Sequence, residues 1–108
     1  MGKVKLENVL ISLREELKNP KFKKAYEIER AKVALAQKIA ELRGSEHLKQ
    51  SELAKKMDVS QQFVSQIENA QETNLTLETI LKIARSLNRG VRISFPKLSK
   101  QSSLLKVA

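Results

Sequence analysis

Apolar residues recur at helical spacing along most of the chain. Leu6, Val9, Leu10, Leu13 and Leu17 advance in steps of three and four, which predicts an amphipathic helix over residues 5–18. Asn19-Pro20 ends it and opens the next, with Asn as cap and Pro at the first helical position. Phe22, Tyr26 and Ile28 give that next turn an apolar side. The pattern continues over residues 27–43 through Ala31, Leu35, Ile39 and Leu42, and Gly44-Ser45 is expected to break it.

Two short helices follow, over residues 49–57 and 60–69. Leu53 and Met57 share one face of the first, and Val64 and Ile67 share one face of the second. Asp58 stands at the corner, where a sharp turn needs a residue that tolerates the left-handed conformation. Ala54 is small enough to let a second helix cross closely, and Ser60 is placed to cap that helix. After a loop at 70–75, Thr76 caps a helix whose core stripe is read as Leu77, Ile80, Leu81, Ala84 and Leu87. Asn88-Arg89-Gly90 stops it, with Asn88 or Gly90 taking the left-handed position. Val91-Arg92-Ile93-Ser94-Phe95 then alternates before Pro96 and predicts a short strand. A lone strand is not stable in water, so Val91, Ile93 and Phe95 are expected to pair with a second copy or with another protein. Residues 97–108 are expected to be loosely ordered. The chain thus divides into a helical extension at 1–25, a helical domain at 26–90, and a short strand with tail at 91–108. The fold class is all-α.

Composition narrows the function. With 108 residues there is room for one domain and appendages. One Tyr, three Phe and no Trp imply a core of Leu, Ile, Val and Ala, while two prolines and three glycines exclude a turn-rich sandwich or barrel. The absence of cysteine removes disulfides and thiolate metal sites and fits a reducing cytoplasm. No apolar run approaches the roughly 20 residues of a membrane span, and the N-terminus lacks the apolar stretch of a secretory signal. No membrane association is expected.

Charge points to a polyanion. The formal net charge is +9, and residues 71–108 carry seven basic and two acidic residues. Phosphate neutralisation with counterion release is the natural use of such an excess. On charge alone, a basic surface that serves only solubility is an equal reading. Catalytic signals are missing. His47 beside Glu46 lies in a polar stretch between helices, and Glu15, Glu16, Glu27 and Glu29 belong to charged faces shared with Lys and Arg. With no phosphate loop, metal-ligand spacing or nucleophile motif, neither an enzyme nor a metal or cofactor is expected.

The second short helix carries the candidate chemistry. Gln61, Gln62, Ser65 and Gln66 lie away from the Val64/Ile67 face. A major groove admits one such helix, and a Gln amide both donates to and accepts from the adenine edge. Phe63 either packs on the preceding helix or touches a thymine methyl. These residues resemble the lambda-repressor/Cro-like (XRE) family. Leu48, Gln50, Glu52, Leu53, Ala54, Val59, Ser60, Gln61, Val64, Ser65, Ile67, Glu68 and Asn69 stand in matching places, and the likeness continues through residues 76–84. Lys49 replaces the usual Thr cap, Asp58 and Ala70 replace glycines, and Leu75 a common Pro. The resemblance implies a five-helix domain that reads double-stranded DNA, here with an extra N-terminal helix. It implies base contacts from Gln61, Gln62, Ser65 and Gln66, and phosphate contacts from Lys49, Gln50 and Asn74. The other reading leaves these amides as a solvated face. A homodimer on a palindromic operator is expected, with half-sites about 34–36 Å apart or a multiple.

The first 45 residues refine this. Asn19, Pro20, Phe22, Tyr26 and Glu27 resemble a pattern seen in HigA-type antitoxins of type II toxin–antitoxin modules. That resemblance implies two roles: neutralising a cognate toxin, an mRNA-cleaving enzyme of RelE-like fold, and repressing its own operon. Leu6, Val9, Leu10, Leu13, Leu17, Phe22 and Tyr26 form the candidate partner-binding face, although the same stripe can equally pack on the protein's own bundle. Two alternatives stand beside it: a phage-type or controller repressor without a toxin partner, and an adaptor whose helix-turn-helix no longer touches DNA.

Overall fold

Asn19 and Pro20 start the longest helix of the protein. In the computed structural model, which describes residues 10–71 and 75–99, the Asn19 carboxamide oxygen accepts a hydrogen bond from the Lys21 backbone N–H at 3.0 Å. Pro20 takes the first helical position, where no N–H is required. The helix before it, α1, is described over residues 10–16; Leu6 and Val9 lie outside the described residues. From the Asn19 cap, α2 runs unbroken as Pro20–Ser45, through residues 25 and 26. Three shorter helices follow: α3 Gln50–Met57, α4 Gln61–Glu68 and α5 Leu77–Ser86. Ser60 and Thr76 cap α4 and α5, accepting from the backbone N–H groups of Phe63 at 3.1 Å and Thr79 at 3.2 Å. The described residues hold these five helices with α1 counted, so the helix-turn-helix part contributes four, α2 to α5, and not the expected five.

The four complete helices end alike, and none of them on glycine. His47, Asp58, Ala70 and Asn88 all sit in the left-handed region with φ of 56–57°. Each is followed by a residue whose N–H reaches back to a helix carbonyl: Leu48 to Arg43, Val59 to Ala54, Gln71 to Gln66 and Arg89 to Ala84, at 2.8–3.2 Å. With the bonds His47 to Gly44, Asp58 to Lys55, Ala70 to Ile67 and Asn88 to Arg85, these are four Schellman ends. The expectation that Gly44-Ser45 breaks α2 is therefore corrected. A single glycine weakens a helix by about 1 kcal/mol without ending it, and the packed turn closed by His47 decides the boundary.

The core gathers Ile39, Leu53, Ala54, Met57, Val64, Ile67, Ile83 and Leu87, with Leu35, Leu42, Leu48, Val59, Phe63 and Leu75 packed around it. α3 packs against both α4 and α5, and α2 packs against α4. One correction concerns α5. Leu77 and Leu81, expected in its core stripe, are 55% and 45% exposed, whereas Ile83 and Leu87 are buried. At about 100° per residue, apolar residues at 77, 80, 81, 83, 84 and 87 spread over an arc of roughly 160°, wider than one contact line, and packing on α3 selects its Ile83/Leu87 edge.

A second correction concerns the C-terminal segment. Residues 91–99 form no strand. Val91, Ile93 and Phe95 are exposed, Phe95 at 94%. A strand is held by ladder hydrogen bonds to a neighbour, and among the described residues no strand lies beside this segment.

Candidate nucleic-acid interface

Position α4 from its two ends. At its start, Asp58 turns the chain with φ 57° and ψ 47°, and Ser60 (ψ 153°) fixes the entry angle. On its inner face, Val64 and Ile67 meet Leu53, Ala54 and Met57 of α3 in the core, every one of them buried. Phe63 is half-buried and packed on that cluster, which favours its scaffold role.

The outer face is amide and hydroxyl. Gln61 and Gln62 are exposed, Ser65 and Gln66 are half-buried, and Asn69 is exposed one turn beyond Ser65. The four sequence-selected residues thus share one face of a helix whose opposite face is locked in the core. The single charged side chain of α4, Glu68, lies i+4 from Val64 and turns inward. Its side chain is 5% exposed and receives Arg43 through Nε at 2.7 Å and Nη2 at 2.9 Å. The Glu68 hydrogen bond, aided by its negative charge, holds the Arg43 guanidinium above its ordinary pKa, outweighing the opposing effect of burial. The remaining Nη1 donates to the Leu48 carbonyl at 2.7 Å. One carboxylate therefore fastens the end of α4 to α2 and to the connection before α3.

Gln50 joins the same cluster. Its Nε2 donates to Glu68 Oε1 at 3.2 Å, and among the described residues its second N–H and its carbonyl oxygen make no other hydrogen bond. Lys49 is exposed at the start of α3, where its backbone N–H donates to Glu52 Oε1 at 2.9 Å. Its own side chain makes no cap bond, as an ammonium has no acceptor to give. Asn74 lies outside the described residues. Of the candidate partner-binding residues, Leu10 is exposed, Leu13 and Leu17 are half-buried, and Phe22 and Tyr26 stack with ring centroids 6.4 Å apart. His47 is exposed and serves as the left-handed end of α2.

Sequence reasoning missed the Arg43–Glu68 pair, the Asn69–Ser65 contact at 3.3 Å and the Glu46–Arg89 pair at 3.5 Å. The first had a signal. Arg43 is i+4 from Ile39, Glu68 is i+4 from Val64, and opposite charges on two core-facing stripes invite pairing.

A family model described as Helix-turn-helix matches residues 39–93, just over half of the chain. The chain belongs to the helix-turn-helix family, of the XRE type. No curated protein and no solved structure matches it significantly. Members of this helix-turn-helix family bind DNA in transcription regulation. The matched span opens at Ile39 inside α2 and leaves the Phe22/Tyr26 stack and α1 outside. Among the described residues, no helix is long and apolar enough to cross a membrane.

Proposed function

We propose that this protein is a sequence-specific transcriptional repressor that reads operator DNA with α4. The observation that carries the reading is the division of α4: Val64 and Ile67 are buried, while Gln61, Gln62, Ser65 and Gln66 share the opposite face. Inserted in a major groove, those side chains meet base edges, and Lys49 and Gln50 at the start of α3 meet the flanking phosphates. Because α4 carries no basic side chain, the electrostatic part of binding comes from elsewhere on a chain of net charge +9. Two copies bind a palindrome, in the cytoplasm where the operator lies. Binding to the DNA upstream of its own gene, followed across a salt titration, tests this. A site-specific complex whose affinity falls steeply with salt is expected, and indifference to sequence counts against it.

The finer reading, an antitoxin, draws support from the segment before residue 39. Most of α2, residues 20–38, precedes the family match, carries the stacked Phe22/Tyr26 pair, and follows an α1 with Leu10 and Ile11 exposed. Amphipathic helices ahead of a DNA reader, described from residue 10 onward, suit the capture of a second protein, a cognate mRNA-cleaving toxin of RelE-like fold. Co-purification with the product of the adjacent gene tests it. A complex lost in the Phe22→Ala/Tyr26→Ala variant supports the antitoxin; a chain that remains alone supports a repressor without a toxin partner.

A further inference from the structure

We propose that Asn69, just past the end of α4, is a positioning residue that makes Ser65 a hydrogen-bond donor toward DNA and so sets which bases its turn accepts. The inference rests on the reading of α4 as the groove-binding helix and goes one residue further. A serine hydroxyl is both donor and acceptor, and at a base edge it ordinarily serves for either. Inside a helix it often donates to a carbonyl one turn back, which uses up its proton.

In Ser65 the balance is shifted toward donation. Its Oγ accepts from the Asn69 side-chain Nδ2 at 3.3 Å, so one lone pair is occupied. Asn69 is itself held: its backbone N–H donates to the Ser65 carbonyl at 3.0 Å, and the left-handed Ala70 with the Gln71-to-Gln66 bond closes the turn beneath it. Among the described residues Ser65 Oγ makes no other hydrogen bond, so its proton stays available. Ser65 and Asn69 are one turn apart on the face that carries Gln61, Gln62 and Gln66. With one of its two lone pairs taken, the hydroxyl is biased toward donating, which favours a keto edge, guanine O6 or thymine O4, over the amino group of adenine or cytosine.

The test selects binding sites from duplexes of randomised sequence with the full chain, for wild type, Asn69→Ala, Asn69→Asp and Ser65→Ala, each checked for folding by circular dichroism. Wild type is expected to prefer keto bases about fivefold at one position of each half-site, the scale of one neutral hydrogen bond. Asn69→Ala relaxes that position alone. Asn69→Asp, whose carboxylate takes the Ser65 proton, lowers overall affinity and turns the preference toward amino bases. Ser65→Ala abolishes the preference and makes the Asn69 changes silent there. A keto preference that survives Asn69→Ala, or a loss spread evenly over all positions, overturns the proposal while leaving α4 as the reader. A wild-type profile with no preferred sequence overturns both.

Discussion

Arg43 and Glu68, 25 residues apart, are joined by two hydrogen bonds of 2.7 and 2.9 Å between one guanidinium and one nearly buried carboxylate. The pair links the last turn of α2 to the last turn of α4, and Gln50 and the Leu48 carbonyl complete it. The outer face of α4 is thereby aimed by a polar lock behind it as well as by core packing.

Breaking that lock from one side leaves a charge in a desolvated place. Arg43→Met is expected to destabilise the fold by about 3 kcal/mol, measured by urea unfolding. The exposed Glu29–Lys32 pair, 3.2 Å apart on one helix face, serves as the control. Removing it should change stability by less than about 0.5 kcal/mol. Equal effects at the two pairs would deny the Arg43–Glu68 bond its special standing.

Ala70 carries a cost that evolution usually avoids with glycine. Its φ of 56° places a Cβ where L-residues are strained. Ala70→Gly is expected to stabilise by about 0.5–1 kcal/mol, because relief of strain outweighs the added freedom of the unfolded chain. Ala70→Val should destabilise. Thermal unfolding of the two variants reads the sign directly.

α5 separates two leucines that the sequence pattern put on one stripe. Leu87→Ala empties a position that is 1% exposed and should cost about 2–5 kcal/mol. Leu77→Ala, at 55% exposure, should stay within about 0.5 kcal/mol in the same denaturation assay.

That contrast marks what the sequence made legible. Caps at Asn19, Ser60 and Thr76, the corner at Asp58 and the buried set Leu53, Met57, Val64 and Ile67 follow from local chemistry, and all appear in the structure. Choices set by tertiary packing did not show. Apolar positions along α5 leave its inward side undecided, and α2 continues through Gly44 to Ser45 because the turn closed at His47 outweighs one weak residue. Residues 91–95 alternate as a strand does, but a pattern cannot supply a partner. In the candidate site, the face of α4 was readable from Val64 and Ile67, while Arg43–Glu68 and Asn69–Ser65 depended on where helices end and cross.

Phosphate and base contacts should separate by their response to salt. Lys49→Ala is expected to weaken binding to all DNA sequences alike and to lower the salt slope by about 1. Gln62→Ala should instead cost about 1–3 kcal/mol at the preferred site and relax one base position. Filter binding to specific and scrambled duplexes at several salt concentrations distinguishes them.

Footprinting on the DNA upstream of the gene, with wild type and a folded Gln61→Ala/Gln62→Ala variant side by side, is the most direct test. Wild type should protect a palindromic segment, and the variant should lose that protection while still binding DNA without preference. An unchanged footprint in the variant, or none with wild type, would contradict the role given to α4.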